Sequence, residues 1–204
     1  MVQLFIDGGG FMWPILFIFI IGFVFVGERL YHLLKGLASK EDFAQQISNT
    51  ILSSGIKSAK AECEGAVGPV ANLCYNALER AHLGEEAAEK SLDQSGAIEM
   101  AALEKNMTWI SLCIATAPML GFLGTVWGMI QAFNDIKMAN DISPAVVAGG
   151  ISVALLTTAF GLVVAVILQL LQNAVMYIID NQIVTMQKST TMLLRSIADS
   201  SHTK

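Results

Sequence analysis

The sequence predicts an all-α membrane protein with three transmembrane helices and long helical extensions on the cytoplasmic side. Three stretches carry no charged residue, namely 8–27, 106–134 and 142–179, and a span needs about 20 apolar residues. Hydrophobic residues make up 54% of the 204-residue chain and charged residues only 14%, which is a membrane composition. The net charge of -5 provides no basic surface for nucleic acid.

The first predicted transmembrane helix covers residues 11–34, after a short N-terminal segment of residues 1–10. Basic residues follow its apolar core instead of preceding it, which is the reverse of a cleaved signal peptide. We therefore expect this helix to be retained. Glu28 and Arg29 at its end are interpreted as a solvated ion pair at the membrane surface. A contact of this pair with a partner or with lipid is the alternative.

Residues 35–105 are predicted to form a cytoplasmic helical region. Apolar residues recur at helical spacing there, as in Phe43, Ile47 and Ile51. Residues 85–105 are rich in Ala, Glu, Leu and Met, which favour helix, and we expect this helix to continue directly into the second span.

The second transmembrane helix is predicted at residues 106–133 and the third at residues 145–180, the latter with a cytoplasmic extension. A periplasmic loop of residues 134–144 joins them, and residues 181–204 form a cytoplasmic tail. Pro118 lies inside the second helix, where a proline removes one backbone hydrogen bond and produces a kink.

The distribution of basic residues predicts the orientation. Eleven of the twelve Lys and Arg residues lie in residues 29–105 or in the C-terminal tail, and only Lys137 lies between the second and third helices. Basic residues accumulate on the cytoplasmic side of membrane proteins. We therefore expect a multi-pass membrane protein with its N-terminus outside and its C-terminus in the cytoplasm.

No pattern in the sequence indicates an enzyme, a cofactor or a metal. There is no nucleophile–base pair and no phosphate-binding loop. The three cysteines, Cys63, Cys74 and Cys113, lack metal-ligand spacing. We interpret them as structural residues.

Small residues form one face of the second and third helices, and membrane helices pack closely through such faces. The predicted packing or pore-facing positions are Ala117, Gly121, Gly124, Gly128, Ala154, Gly161 and Ala165. Each face also carries one hydroxyl, Thr125 or Thr158, and Gln169 and Gln172 continue the face of Thr158. A polar stripe can line a passage for water or ions, whereas the simpler interpretation is two tightly packed helices. Thr157 points about 100° away from Thr158 and ranks lower.

Two segments resemble a known family. Residues 121–133, Gly-Phe-Leu-Gly-Thr-Val-Trp-Gly-Met-Ile-Gln-Ala-Phe, closely resemble the second transmembrane helix of the ExbB/TolQ/MotA proton-channel family. Residues 150–162, Gly-Ile-Ser-Val-Ala-Leu-Leu-Thr-Thr-Ala-Phe-Gly-Leu, resemble the third. The compact cytoplasmic region favours the ExbB/TolQ branch over a MotA-like flagellar or gliding motor subunit.

The resemblance implies a ring of identical subunits, usually five, around a dimer of single-span partners of the ExbD, TolR or MotB type. The partner would supply the proton-carrying Asp, and this chain would supply the hydroxyls of Thr125 and Thr158, with Thr157 as a lesser candidate. Proton motive force would then drive mechanical work on the cell envelope or TonB-dependent transport through a TonB- or TolA-like protein. The resemblance also implies that the chain lies in the bacterial inner membrane, with a periplasmic N-terminus and a cytoplasmic C-terminus.

One position departs from the family pattern. ExbB and TolQ relatives often have Glu where this sequence has Val153, and the charge-free segments of the second and third helices, 106–134 and 142–179, contain no carboxylate. We therefore expect the chain to conduct protons poorly without its partner. The alternative is a non-conducting membrane scaffold that assembles a partner complex.

Overall fold

The computed structural model describes residues 2–36, 43–139 and 144–202, and the regular structure in these ranges is entirely helical. A short 3-10 helix, Ala81–Leu83, lies between the fifth and sixth α-helices. The α-helices are α1 (Val2–Asp7), α2 (Met12–Gly36), α3 (Phe43–Ser54), α4 (Ile56–Glu64), α5 (Pro69–Arg80), α6 (Glu85–Leu103), α7 (Met107–Ala139) and α8 (Pro144–His202).

Three helical segments are long and apolar enough to cross a membrane, and they contain α2, α7 and α8. α7 continues to Ala139, so part of the segment 134–144 that we expected as a loop is helical. The reason is local, because no Pro or Gly occurs between Asn134 and Ala139. α8 starts at Pro144, where the fixed φ of proline suits a first helical turn. It continues as one helix of 59 residues through most of the predicted tail.

The expected continuous helix from residue 85 into the second span is interrupted. α6 ends at Leu103 and α7 begins at Met107. Between them, Asn106 has a φ of 65°, in the left-handed region that few residues other than Gly and Asn adopt. An α-helix cannot continue through this conformation, so the continuous-helix expectation was wrong.

The described residues form two compact units. The first contains α1, α2 as far as Arg29, α7, and α8 as far as Val175. Its buried core consists of Ile15, Cys113, Ala117, Val164 and Leu168. A Cβ atom on Gly22 of α2 would lie 2.7 Å from Leu168 Cδ1. The absence of that atom allows α2 to pack closely on the third span.

The second unit contains the end of α2, helices α3 to α6, and α8 from Met176 onward. Its largest buried side chains include Ile47, Leu73 and Leu92, together with Ile179 and Leu193 of α8. Ile179 and Leu193 are 14 positions apart, which places both on nearly the same face of α8.

Polar contacts join the helices of this second unit. Asn72 of α5 donates a hydrogen bond to Glu99 of α6 at 2.8 Å. The Gln182 side chain of α8 donates to the Leu33 carbonyl in the last turn of α2 at 3.2 Å. Carbonyls in a last helical turn lack partners within their own helix, so Gln182 satisfies one of them.

The cysteines of the second unit, Cys63 and Cys74, are buried free thiols. A hydrogen bond to Cys63, together with burial, raises the pKa of the Cys74 thiol. Cys113, in the first unit, is also a buried free thiol. These positions agree with the interpretation of all three cysteines as structural residues.

Candidate functional site between α7 and α8

The candidate site lies where α7 and α8 approach each other in the first unit. A Cβ atom on Gly121 would lie 2.9 Å from the Thr157 carbonyl oxygen, and one on Gly161 would lie 2.6 Å from the Ala117 carbonyl oxygen. Real Cβ atoms do not come this close to a backbone atom. The two backbones are therefore in direct contact, and only glycine fits at these positions.

The same contact extends along both helices toward Ala139 and Pro144. A Cβ atom on Gly124 would lie 2.6 Å from the hydroxyl oxygen of Thr157, and one on Gly128 would lie 3.2 Å from the backbone of Ala154 and of Gly150. Close approach of this kind is how membrane helices associate when lipid provides no hydrophobic driving force. The residues predicted to pack or face a pore are therefore largely brought together, although Ala165 is only half-buried.

The three predicted threonines occupy different surroundings. Thr158 is half-buried, and its hydroxyl donates across the interface to the Gly121 carbonyl at 3.3 Å. Thr157 is 1% exposed and donates within its own helix to the Ala154 carbonyl at 2.8 Å. Thr125 is half-buried and donates to the Phe122 carbonyl at 2.6 Å.

These hydrogen bonds determine whether each hydroxyl can still donate or accept a further hydrogen bond. A threonine hydroxyl has one hydrogen and two lone pairs. Thr125 and Thr158 have each committed the hydrogen, so their oxygens remain available as acceptors for a water molecule or a protonated acid. Thr157 is enclosed against Gly124, so it fills the helix interface.

No acidic side chain accompanies these hydroxyls in the spanning parts of α7 and α8. The nearest acids along the chain are Asp135 for Thr125 and Asp141 for Thr158, both outside the uncharged segments. Val153 is half-buried, and its carbonyl accepts a hydrogen bond from Thr157 at 3.2 Å. Among the described residues, no three His, Cys, Asp or Glu side chains come together as metal ligands.

Glu28 and Arg29 form a polar cluster with Asn106 at one end of the first unit. Glu28 accepts a hydrogen bond from Arg29 at 2.9 Å and another from the Asn106 side chain at 2.8 Å. Arg29 is only 5% exposed, so the expectation of a solvated surface pair was wrong. The sequence analysis missed Asn106, whose one available signal is the tolerance of asparagine for positive φ.

Comparison with known proteins places this geometry in a family context. Residues 43–188 match the MotA/TolQ/ExbB proton channel family. An ExbB homologue from Methanothermobacter thermautotrophicus, named as a biopolymer transport protein, is 30% identical over 183 residues, or 89% of this chain and 65% of that protein. The biopolymer transport protein ExbB of Neisseria gonorrhoeae is 30% identical over 152 residues, which is 68% of this chain and 66% of that protein. The biopolymer transport protein ExbB of Xanthomonas campestris is 40% identical over 81 residues, which is 40% of this chain and 32% of that protein. The match thus spans less than two thirds of each relative.

Proposed function

The chain belongs to the MotA/TolQ/ExbB proton channel family, on its ExbB branch, and we therefore propose that it is the ring-forming subunit of a proton-driven motor in the inner membrane. In this proposal it acts with a single-span ExbD/TolR-like partner. Together they convert proton motive force into mechanical work on the cell envelope or into TonB-dependent transport. Three apolar helices and the family membership support a multi-pass membrane protein.

We base the proposal on the placement of Thr158 at the contact between two uncharged helices. Its hydroxyl hydrogen is directed to the Gly121 carbonyl of α7, so its oxygen has lone pairs free to accept a hydrogen bond. Thr125 has the same arrangement with the Phe122 carbonyl. Two oriented acceptors without a titratable group suit a pathway in which another chain carries the proton.

The partner must supply the acid. A threonine hydroxyl does not titrate near neutral pH, and the uncharged segments 106–134 and 142–179 hold no carboxylate. A proton relay in a membrane uses ionisable side chains such as Asp, Glu or His. A dimer of single-span partners inside a ring of about five copies of this chain would place an acid opposite Thr125 and Thr158.

The tight helix contact favours a second candidate function. Gly121 and Gly161 hold the two backbones together, and the Thr158 hydrogen bond contributes to that same contact. A membrane scaffold that assembles a partner complex without moving ions would need these features and no others. The two functions differ in whether ions flow.

The test is proton flux into vesicles, reported by a pH-sensitive dye, with this chain alone and with its co-expressed ExbD/TolR-like partner. We expect flux only with the partner, and we expect Thr158→Val to abolish it while the complex stays assembled. A hydrogen bond between membrane helices stabilises by only about 0.6 kcal/mol on average, so its loss should not dissociate the subunits.

Thr116→Val is the matched control. Its hydroxyl also lies on α7 but donates to the Leu112 carbonyl of its own helix at 2.7 Å, so the variant should conduct like the unmodified complex. Dissociation of the Thr158→Val complex would mean that Thr158 is structural. An intact complex that never conducts would favour the scaffold.

A further inference from the structure

A second group of polar side chains joins α7 to α8, away from the threonines. The Gln172 amide donates a hydrogen bond to the Ser111 hydroxyl at 2.7 Å. Beside this pair, the Gln169 side-chain amide donates to the side-chain oxygen of Asn173, Oδ1, at 3.1 Å. The proposed site does not use any of these four residues.

The depth of this group follows from neighbouring contacts. Asn106 hydrogen-bonds to Glu28, so it marks the level of the charged cluster. Ser111 lies five residues further along α7, which is about 7.5 Å at the helical rise. On α8 the next charge is Asp180, eight residues or about 12 Å beyond Gln172. The Ser111–Gln172 pair therefore lies inside the uncharged segments of both helices.

The group also shares a face with the proposed pathway. Gln172 follows Thr158 by 14 residues, and Ser111 precedes Thr125 by 14 residues. At 3.6 residues per turn, each pair of positions is aligned to within about 40° and separated by about 21 Å. The pair Thr125 and Thr158 and the pair Ser111 and Gln172 therefore lie one after the other along the same side of the α7–α8 contact.

Amide and hydroxyl groups at this depth need polar surroundings, because lipid cannot satisfy their hydrogen bonds. Gln169 and Asn173 are exposed in the single chain, and Gln172 is half-buried. Amides and hydroxyls both donate and accept hydrogen bonds but do not titrate near neutral pH. They can therefore order water molecules without holding the proton.

We infer that Ser111, Gln169, Gln172 and Asn173 line a water-filled cytoplasmic mouth of the proton pathway, an inference that rests on the proposed function. The mouth hydrates the proton after it leaves the level of Thr125 and Thr158. The Ser111–Gln172 hydrogen bond joins α7 to α8 within the wall of this mouth.

Cysteine accessibility in the complete complex tests whether the mouth holds water. We compare Gln172→Cys with Leu170→Cys under a water-soluble methanethiosulfonate reagent in sealed vesicles. Leu170 lies two residues away at nearly the same depth, on the opposite side of α8, and is 66% exposed. We expect Gln172→Cys to react at least tenfold faster. The three native cysteines are buried, and the protein without an added cysteine gives their background.

Two outcomes would overturn the inference. Equal rapid reaction at both positions would place them in bulk water outside the membrane. Equal slow reaction would show a dry contact, in which the polar side chains join helices or copies of the chain.

Proton flux separates this inference from the function on which it rests. Gln172→Leu should reduce partner-dependent flux at least tenfold, whereas Leu170→Ala should leave it unchanged. Unchanged flux in Gln172→Leu would remove the group from the pathway. If the unmodified complex does not conduct at all, the proposed function fails, while faster reaction of Gln172→Cys would still support a water-filled cleft at this position.

Discussion

Asn106 combines a backbone role and a side-chain role in one residue. Its φ of 65° separates α6 from α7, and its amide donates to the Glu28 carboxylate, which also holds Arg29. The carboxylate thus links the buried arginine of α2 to the start of α7. The ends of two spanning helices are held together by one acidic side chain.

Two substitutions of Asn106 separate these roles. Asn106→Gly keeps the left-handed backbone accessible and removes only the hydrogen bond, and bonds to charged groups contribute about 1.5–3 kcal/mol. Asn106→Ala removes the same hydrogen bond and leaves a left-handed conformation that costs about 1–2 kcal/mol and that alanine tolerates less well than asparagine. Thermal unfolding of the detergent-solubilised protein, followed by circular dichroism, should give the highest Tm for the unmodified protein and the lowest for Asn106→Ala. A Tm for Asn106→Gly at or above that of the unmodified protein would show that the hydrogen bond stabilises the fold by no more than glycine gains in the left-handed conformation.

The sequence could not reveal this cluster. Glu28 and Asn106 are separated by 78 positions, and neither belongs to a periodic pattern. An Asp, Glu, Lys or Arg next to an apolar stretch is usually solvated at the membrane surface, so the local pattern favoured a surface pair. Asn106, which bonds to Glu28, lies at a helix break that helix propensity does not indicate, because residues 85–103 are rich in good helix formers.

At the scale of helices, glycine has opposite effects at different positions of α8. In a helix, replacing Gly by Ala stabilises by about 1 kcal/mol when the new methyl group meets no obstacle. A Cβ atom on Gly149 would have no atom within 4 Å in the chain, whereas one on Gly161 would meet the Ala117 carbonyl at 2.6 Å. A backbone carbonyl cannot rotate away as a flexible side chain can.

We therefore expect Gly149→Ala to raise the midpoint of thermal unfolding and Gly161→Ala to lower it. Each variant is the control for the other, because both replace Gly by Ala in α8. Overpacking typically destabilises by about 1–3 kcal/mol, so the two midpoints should differ clearly in detergent. A rise for Gly161→Ala would mean that α7 and α8 are not in backbone contact at this level.

Helical periodicity indicated which faces of α7 and α8 carry small residues, but not how the two faces meet. Counting 100° per residue grouped Thr125 with Gly121 and separated Thr157 from Thr158. In the structure Thr157 packs against Gly124 inside the contact, and Thr125 bonds within its own helix. The relative register of the two helices depends on contacts between residues from 22 positions apart, as in Gly128 and Gly150, to 44 positions apart, as in Ala117 and Gly161. The pattern within one helix contains no information on that register.

At the scale of the whole molecule, charge-free length was the most informative signal. It indicated three spans because the bilayer imposes a fixed length on an uncharged helix. It also overlooked that helix α8 continues to His202, since a polar sequence can remain helical where tertiary contacts stabilise it. The proposed ring and its partner depend on surfaces between chains, about which charge-free length carries no information.

The orientation of the chain gives a prediction on the same scale. Residues 29–105 and the C-terminal segment contain eleven of the twelve basic residues, and the positive-inside rule then places Lys137 outside. Met138 and Val67 are 86% and 88% exposed, so a cysteine at either position should be equally accessible to a reagent on its own side. A membrane-impermeant maleimide added to intact spheroplasts should therefore label Met138→Cys and spare Val67→Cys.

The native thiols Cys63, Cys74 and Cys113 are buried and should give little background, and permeabilised cells should label both variants. If intact cells show the reverse labelling pattern, the orientation of the chain is opposite to the predicted one. The mouth lined by Ser111 and Gln172 would then open to the periplasm. Labelling of both variants in intact spheroplasts would be incompatible with three spans. Because protons enter from the periplasm under a normal membrane potential, the first pattern is the one in which Thr125 and Thr158 precede that mouth along the proton path.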